Sequence, residues 1–230
     1  MNQNKNYSDI EKRFELTNSS KTFNRILNIL KLRTKKMLDL GCGYGEYLVK
    51  FGENSLGITS TIDEVEYAKN KKIRMIRGNV ELIEDIKLNE QFDGIWANNL
   101  FEHLLSPHAF LIKLKTLAKN DTVLVLGVPV IPKIVSLIKI NKFRGTLASS
   151  HINFFTKDTL RLTAERAGWK IIDIRPFIFR NKIIDKLFSF FAPHLYVIAE
   201  NEANFIYPEK KLKEWKDELL YQNLLKIGRR

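Results

Sequence analysis

The stretch that decides the fold reads Met37-Leu38-Asp39-Leu40-Gly41-Cys42-Gly43-Tyr44-Gly45-Glu46. Its first four residues are a short, mainly apolar run that ends at glycine, which is typical of a strand buried on both faces. The three glycines that follow can adopt positive φ and let the backbone approach a ligand closely. The spacing G-x-G-x-G differs from the dinucleotide fingerprint G-x-G-x-x-G, and this difference disfavours NAD or FAD as the ligand.

Short apolar runs alternate with helical patterns around this stretch. Strands are predicted over Met37–Leu40, Ser55–Ile58, Ile73–Ile76, Phe92–Ala97, Thr122–Val130, Trp169–Phe179 and Leu195–Glu200. Helices are predicted over 7–33 (with Ser20 as a cap inside this range), Tyr44–Phe51, Ile62–Lys71, Pro107–Leu117 and Asp158–Gly168. Alternation at this spacing implies βαβ units, so the predicted fold class is α/β, a doubly wound sheet with helices on both faces.

Residues 38–45 resemble motif I of the class I S-adenosylmethionine-dependent methyltransferases. The stretch 92–104, with its Glu102-His103 pair, and the block that runs from 107 to 129 are also similar to this family. The resemblance covers about residues 35–200. It implies a seven-stranded, mostly parallel sheet with an antiparallel edge made by the last two strands, S-adenosylmethionine as the cofactor, and in-line transfer of its methyl group.

The resemblance assigns roles to the residues of the glycine loop. Gly41 and Gly43 would lie against the methionine part of the cofactor, and Asp39 would steer the loop and reach the cofactor ammonium through water. Cys42 belongs to the same set and is expected to pack behind the loop, because small buried thiols behave as hydrophobes. The alternative is a tight strand–helix turn that holds no ligand.

The end of the second strand departs from the family pattern. An acidic residue usually binds both ribose hydroxyls there, whereas this sequence reads Gly57-Ile58-Thr59-Ser60-Thr61. It is similar to a variant, found in cyclopropane-fatty-acid synthase-like members, in which hydroxyls and a later Gln take this role. Thr59 and Glu64, which stands at the Gln position, are therefore the candidates. The alternative is that this stretch only caps the next helix.

Three further residues complete the predicted cofactor site. Asn79 stands where the family usually has Asp, and its side chain offers both an acceptor and donors for the adenine ring. Val80 would donate its backbone N–H to the ring. Asn98, at the end of the fourth strand, would approach the methionine end of the cofactor through its backbone carbonyl.

Two histidines are the candidate catalytic residues. A hydroxyl acceptor gains from a general base, and histidine is the side chain best suited to that role near neutral pH. His103 follows the fourth strand, and His151 precedes a predicted helix, where family members often carry a similar histidine. For each, the alternative is a structural hydrogen bond or a helix cap. Glu102 and His103 could instead ligate a metal ion, but without two further ligands no metal is expected.

The composition of the chain excludes several classes of function. The chain has 230 residues, of which 44% are hydrophobic and 28% charged, as in soluble globular proteins. One cysteine excludes an internal disulfide, no Cys/His spacing suits zinc, the N-terminus is polar, and no apolar run is long enough for a transmembrane helix. A cytoplasmic protein is expected. The net charge of +12 is dispersed without an arginine-rich block, so a nucleic-acid partner is not expected.

The expected acceptor is a small molecule, such as a sugar, a glycan precursor or an amphiphile, methylated at oxygen or nitrogen. An RNA methyltransferase is an alternative that the basic charge favours. However, the sequence after the fourth strand reads Asn98-Asn99-Leu100-Phe101 rather than an Asn-Pro-Pro-Tyr-like motif. A cofactor-binding regulator without activity is a second alternative. The oligomeric state is not predictable from the sequence.

The chain divides into three predicted parts. Residues 1–34 form an N-terminal helical cap, 35–206 form the cofactor-binding domain, and 207–230 form a C-terminal helix. Two insertions, at about 131–150 and 180–193, are both apolar and basic and should flank the cleft. They are interpreted as ordinary packing, as a lid over the acceptor, or as a patch that contacts an anionic membrane surface.

Overall fold

The computed structural model describes residues 2–138 and 151–215, and its centre is a seven-stranded sheet. The strands are β1 (Met37–Leu40), β2 (Leu56–Thr59), β3 (Met75–Arg77), β4 (Phe92–Asn98), β5 (Ala118–Pro129), β6 (Trp169–Arg175) and β7 (His194–Asn201). Their order is β3-β2-β1-β4-β5-β7-β6. β7 runs antiparallel to both β5 and β6, and the other neighbouring pairs are parallel. The predicted fold class is confirmed, including its antiparallel edge.

Helices pack on both faces of this sheet. The α-helices are α1 (Asn2–Ser19), α2 (Lys21–Ile29), α3 (Ile62–Asn70), α4 (Pro107–Leu114), α5 (Lys133–Ile138), α6 (Lys157–Glu165), α7 (Lys182–Phe188) and α8 (Glu209–Trp215). Along β4, Ile95 and Ala97 join one buried cluster while Trp96 joins a second one. Since side chains alternate across a strand, the two clusters lie on opposite faces. All four residues of β1 are buried, as predicted for a central strand.

The helix predicted over Tyr44–Phe51 is wrong. The chain there makes turns and one short 3₁₀ helix, Leu48–Lys50. Gly45 has φ +91°, which is outside the helical region, so the helix cannot start in the loop. The Gly52 amide then donates to the carbonyls of Leu32 and Lys35, which ties the chain back to the start of β1.

The N-terminal residues form two helices, as predicted. Ser20 caps α2, and its hydroxyl accepts a hydrogen bond from the Phe23 amide at 3.2 Å. The Phe23 ring is buried against the Trp96 ring, with their centroids 5.3 Å apart. Burying one such aromatic side chain contributes about 1.5–3 kcal/mol to stability, so α2 is anchored to the β4 face.

Both insertions have a helix within the described residues. The first contains α5, and its part beyond Ile138 lies outside the described residues. The second contains α7, whose start is capped by the Asn181 side chain. Within the predicted C-terminal helix the structure describes α8, and the rest of this prediction, residues 216–230, lies outside the described residues. Among the residues that the structure describes, no helix has the length and apolar character needed to cross a membrane.

Candidate functional site

The glycine loop lies at the carboxyl edge of the sheet, where β1, β2 and β4 end. The amides of Gly41 and Cys42 donate to the Ile58 carbonyl at 2.9 and 3.1 Å, which ties the loop to β2. Gly41 and Gly43 have φ +67° and +55°, a backbone region that favours glycine. A Cβ on Gly41 would lie 3.2 Å from Leu100, and one on Gly43 would lie 3.1 Å from the Glu46 carboxylate. Glycine at these two positions therefore suits both the positive φ and the close approach of the Leu100 and Glu46 side chains, and the predicted contact with a ligand stays a prediction.

Cys42 packs behind this loop, as expected. Its side chain is 2% exposed, and its Sγ atom would lie 2.7 Å from a Cβ on Gly57 in β2. The thiol thus fills the space that this glycine leaves. A contact between residue 42 and a cofactor would have to involve its backbone rather than its sulfur.

Two carboxyl groups, those of Asp39 and Glu46, lie close to the glycine loop. Asp39 Oδ2 and Glu46 Oε2 are buried without a hydrogen bond among the described residues. Burial, with the negative charge of Glu46 as a smaller cause, holds the pKa of Asp39 well above its ordinary value. Burial also raises the pKa of Glu46, and the Arg13 guanidinium partly opposes this effect. A cationic ligand group here would pair with both carboxylates and satisfy the oxygen of each that has no hydrogen bond.

Glu46 was missed at the sequence level. The available signal was an acidic residue directly after the last glycine of the loop. Residues of α1 also lie near this place: Arg13 is 5.8 Å from the centre of the Tyr44 ring, and Tyr67 packs on both Tyr44 and Phe14. α1 therefore lies against the glycine loop, through contacts that the sequence did not predict.

Thr59 and Glu64 come together at the end of β2. The Thr59 hydroxyl donates to Glu64 Oε2 and also accepts a hydrogen bond from the Thr61 amide at 3.3 Å. Thr61 is the N-cap of α3, and its side chain makes no capping hydrogen bond. Two oxygen-bearing side chains are thus joined at the strand end where the family usually has one acid. Their predicted contact with ribose stays a prediction.

Asn79 and Val80 lie at the start of the 3₁₀ helix Val80–Asp85, which follows β3. The Asn79 side-chain oxygen accepts a hydrogen bond from the Glu81 amide at 3.0 Å, so it caps this helix. An adenine amino group would have to share that oxygen with the cap, which its second lone pair allows. Val80 is half-buried, and its role towards adenine stays a prediction.

The end of β4 presents a polar group towards β1. Asn98 Nδ2 donates to the Tyr47 hydroxyl at 3.2 Å, while its Oδ1 is buried without a partner among the described residues. The next residue, Asn99, has φ +52°, and its Oδ1 lies 3.0 Å from His194 Nε2. Burial lowers the pKa of His194 to about 4, so this imidazole is neutral at pH 7.

The two candidate catalytic histidines meet, although they are far apart in the sequence. The amides of Ile152 and Asn153 donate to the Glu102 carbonyl at 3.1 and 3.0 Å, and Asn153 Nδ2 donates to the Leu104 carbonyl at 2.5 Å. These hydrogen bonds dock the segment 151–153 on the short 3₁₀ helix Phe101–His103. As a result the rings of His103 and His151 lie 4.9 Å apart.

A buried carboxylate lies between these two rings. Glu102 Oε1 is 3.9 Å from His103 Nε2 and 4.0 Å from His151 Nε2, and Glu102 Oε2 has no hydrogen-bond partner among the described residues. Burial raises the pKa of Glu102, and the two histidines partly oppose this effect. The side chain of His103 is 38% exposed and that of His151 is 15% exposed. Such a cluster can accept a proton and stabilise the imidazolium that forms.

The same three residues have the ligand types of a metal site. Within the described ranges this is the one group of three ligand atoms close enough to share an ion, all lying within 4.8 Å of one another. The sequence-based expectation was that no metal would bind, because it recognised only the ligands Glu102 and His103. His151 offers a third ligand atom, and the structure brings it close to those of Glu102 and His103.

The fold is similar to those of solved methyltransferases. The structure titled as a SAM-dependent methyltransferase from Archaeoglobus fulgidus is similar to 85% of this chain and 99% of its own, with TM-score 0.56 and 18% identity. A seven-stranded sheet of this order is typical of the class I S-adenosylmethionine-dependent methyltransferases. The chain belongs to the family described as "Methyltransferase domain", whose sequence profile matches residues 11–174. The family implies S-adenosylmethionine as the cofactor.

Two curated proteins match part of the chain. The ubiquinone biosynthesis O-methyltransferase of Haemophilus ducreyi is 34% identical over 105 residues, which are 40% of this chain and 44% of that protein. The (S)-coclaurine N-methyltransferase of Papaver somniferum is 33% identical over 100 residues, which are 39% of this chain and 28% of that protein. The chain spans less than half of the length of either relative.

Proposed function

We propose that this protein transfers the methyl group of S-adenosylmethionine to an oxygen or nitrogen atom of a small molecule. The proposal is carried by two buried oxygens beside the glycine loop, Asp39 Oδ2 and Glu46 Oε2, which have no hydrogen bond among the described residues. They fit a ligand that brings an ammonium and a sulfonium to this place, because buried carboxylates need a positive partner. The names of the two curated relatives, an O-methyltransferase and an N-methyltransferase, support the choice of acceptor atom.

The cofactor would lie along the carboxyl edge of the sheet. Asp39 and Glu46 would hold its ammonium group, with Gly41 and Gly43 providing backbone contacts. Thr59 with Glu64 would bind the ribose hydroxyls, Asn79 with Val80 would bind adenine, and the carbonyl of Asn98 would contact the methionine end. Thr59 and Asn98 end β2 and β4, Asn79 and Val80 follow β3, and Glu64 lies in the first turn of α3. When bound, the cofactor supplies a methyl group that is already activated by a positively charged sulfur.

The acceptor would lie beside the Glu102–His103–His151 cluster. His151 is the preferred general base, because its imidazole is less exposed than that of His103 and is therefore better shielded from water. It would take the proton of the acceptor as the acceptor atom bonds to the methyl carbon and the carbon–sulfur bond breaks. Glu102 would act as a positioning residue that stabilises the imidazolium. The products are a methylated acceptor and S-adenosylhomocysteine.

Calorimetry should show binding of S-adenosylhomocysteine and no binding of NAD. The physical reason is that the loop lacks the glycine spacing that cradles a pyrophosphate, while it offers two carboxylates to a cationic amino acid group. At 100 times its dissociation constant, the ligand should stabilise the fold by about 2.7 kcal/mol and so raise the melting temperature. Binding of NAD without binding of S-adenosylhomocysteine would contradict the proposed function.

Two alternatives are separated by a second measurement. The net charge of +12 favours an RNA methyltransferase, but dispersed lysines provide only a salt-dependent attraction to phosphates. RNA binding should therefore be weak and should disappear as salt rises. Sequence-selective binding that persists at high salt would replace the small-molecule acceptor with RNA. Binding of S-adenosylhomocysteine without turnover on any acceptor would support an inactive regulator. The cytoplasmic location stays a prediction.

A further inference from the structure

We propose that the outer surface of α7 and its flanking residues docks on an anionic phospholipid bilayer. This surface, called the docking face, consists of Ile178, Phe179, Ile183, Ile184, Leu187 and Phe191 with the cations Arg180, Lys182 and Lys186 among them. The proposal goes beyond the methyl transfer and does not depend on it. It specifies which part of the chain would contact the membrane.

An ordinary surface helix buries its apolar side chains and exposes its charged ones, whereas α7 exposes apolar side chains and buries its acid. Ile183 and Leu187 occupy successive turns on its outer side and are 72% and 70% exposed, while its one acid, Asp185, is fully buried. Phe191, just after the helix, is 54% exposed. Soluble proteins rarely expose large apolar side chains next to one another, and a contiguous set marks a surface that meets a partner or a membrane.

The buried acid holds this arrangement in place. The Asp185 carboxylate accepts hydrogen bonds from the amides of Phe177, Ile178 and Phe179, each at 2.8 Å. It also accepts one from Arg175 Nη1 at 3.0 Å. Charge-assisted bonds of this kind are among the strong ones in proteins, so the loop before α7 is fixed with Ile178 and Phe179 outward. The hydrogen bonds of Asp185 therefore hold these apolar side chains on the surface.

The charges of the docking face select an anionic partner. Residues 176–193 contain one acid, the buried Asp185, against the exposed cations Arg180, Lys182 and Lys186. Lys182 also pairs with Asp173, at 3.2 Å. Two more lysines, Lys133 and Lys157, line a pocket of about 250 Å³ together with Lys186. A second copy of this chain would bring like charges together, whereas anionic lipid headgroups would complement them.

The docking face lies at the same edge of the sheet as the candidate site. β6 is parallel to β5 and ends at Arg175, and β7 starts at His194, so the connection between them lies at the carboxyl edge. Amphipathic segments of this type lie in the plane of the interface, with their apolar side chains about 5–10 Å deep. Docking would thus bring the acceptor side of the protein near the lipid surface.

Vesicle sedimentation of the full chain tests the proposal. The wild-type protein should bind vesicles of three parts phosphatidylcholine and one part phosphatidylglycerol, bind pure phosphatidylcholine vesicles much more weakly, and dissociate as salt rises. Leu187→Asp should weaken binding to the anionic vesicles by about 10–100-fold, since an inserted leucine side chain becomes charged. Lys186→Gln should weaken it by about fivefold. Both side chains are exposed, so the variants should fold, which circular dichroism can check.

Ile206→Asp is the matched control. Ile206 is 74% exposed, and it follows the end of β7 at the opposite edge of the sheet, so its variant should bind vesicles like the wild type. Equal binding by the wild type and Leu187→Asp would overturn the proposal, because another surface would then carry the attraction. The proposal would also be overturned if the wild-type protein bound neither kind of vesicle. If it then formed a dimer that Leu187→Asp dissociates, the docking face would be a self-association surface.

Discussion

Replacing His151 with alanine should lower turnover by about 10²–10⁴-fold and leave the affinity for S-adenosylhomocysteine nearly unchanged. The imidazole lies in a cluster with His103 and the buried Glu102, apart from the glycine loop that is proposed to hold the cofactor. Its loss would remove the proton acceptor but not the cofactor contacts. Release of S-adenosylhomocysteine, followed with the first hydroxyl or amine compound found to be methylated, measures the effect.

His108→Ala is the matched control for this experiment. His108 Nε2 lies 3.0 Å from the Tyr207 hydroxyl, outside the cluster, so its loss should lower stability more than turnover. If both His103→Ala and His151→Ala keep full turnover, histidine catalysis is wrong and the enzyme works by alignment alone. A chelator separates the remaining roles: loss of wild-type turnover with EDTA, restored by a divalent ion, would make Glu102, His103 and His151 metal ligands instead.

Gly43→Val should abolish binding of S-adenosylhomocysteine in calorimetry. The backbone of Gly43 has φ +55°, where a β-branched residue is strained by about 1–3 kcal/mol. Its Cβ would also lie 3.1 Å from the Glu46 carboxylate, so the valine branches would displace that group from the place proposed for the cofactor ammonium. Strain and lost contacts act in the same direction, which makes this the largest expected effect on binding.

A second variant separates lost contacts from a misfolded loop. Glu46→Gln keeps the shape of the side chain and removes its charge, so it should weaken binding by about 10–100-fold, as expected for a charged hydrogen bond of about 1.5–3 kcal/mol. Its melting temperature without ligand should change little, because the glutamine oxygen can keep the hydrogen bonds that the carboxylate accepts from backbone amides. Unchanged affinity in Glu46→Gln would show that this carboxylate does not contact the cofactor.

Most strands of the sheet were predictable because buried parallel strands appear in the sequence as short apolar runs. Met37–Leu40 is a strand as predicted, whereas Tyr44–Phe51 is not the predicted helix, since the glycine at 45 takes a conformation that composition alone does not reveal. β5 starts at Ala118 rather than Thr122. Its early start depends on the Thr122 hydroxyl, which accepts a hydrogen bond from the Lys119 amide and donates one to the Phe92 carbonyl.

The candidate site was predictable in part, and tertiary contacts explain the rest. Glycine loops and strand ends are local features, so Gly41, Gly43 and Thr59 could be named from the sequence. The meeting of His103 with His151 depends on backbone hydrogen bonds to the Glu102 carbonyl, which have no sequence signature. Glu46 could not be chosen as a site residue from the sequence, because the sequence does not show that its Oε2 atom is buried without a hydrogen bond among the described residues.

The position of Cys42 makes the glycine loop inert to redox chemistry. It is the one cysteine of the chain, and burial raises the pKa of its thiol, to which the negative charge of Asp39 adds. Oxidants and alkylating agents react with thiolates that are exposed to solvent. The Cys42 thiol is neutral and buried against Gly57 of β2, so it should react slowly with them. A sulfur atom thus sits directly beneath the proposed cofactor loop without making that loop responsive to oxidative stress.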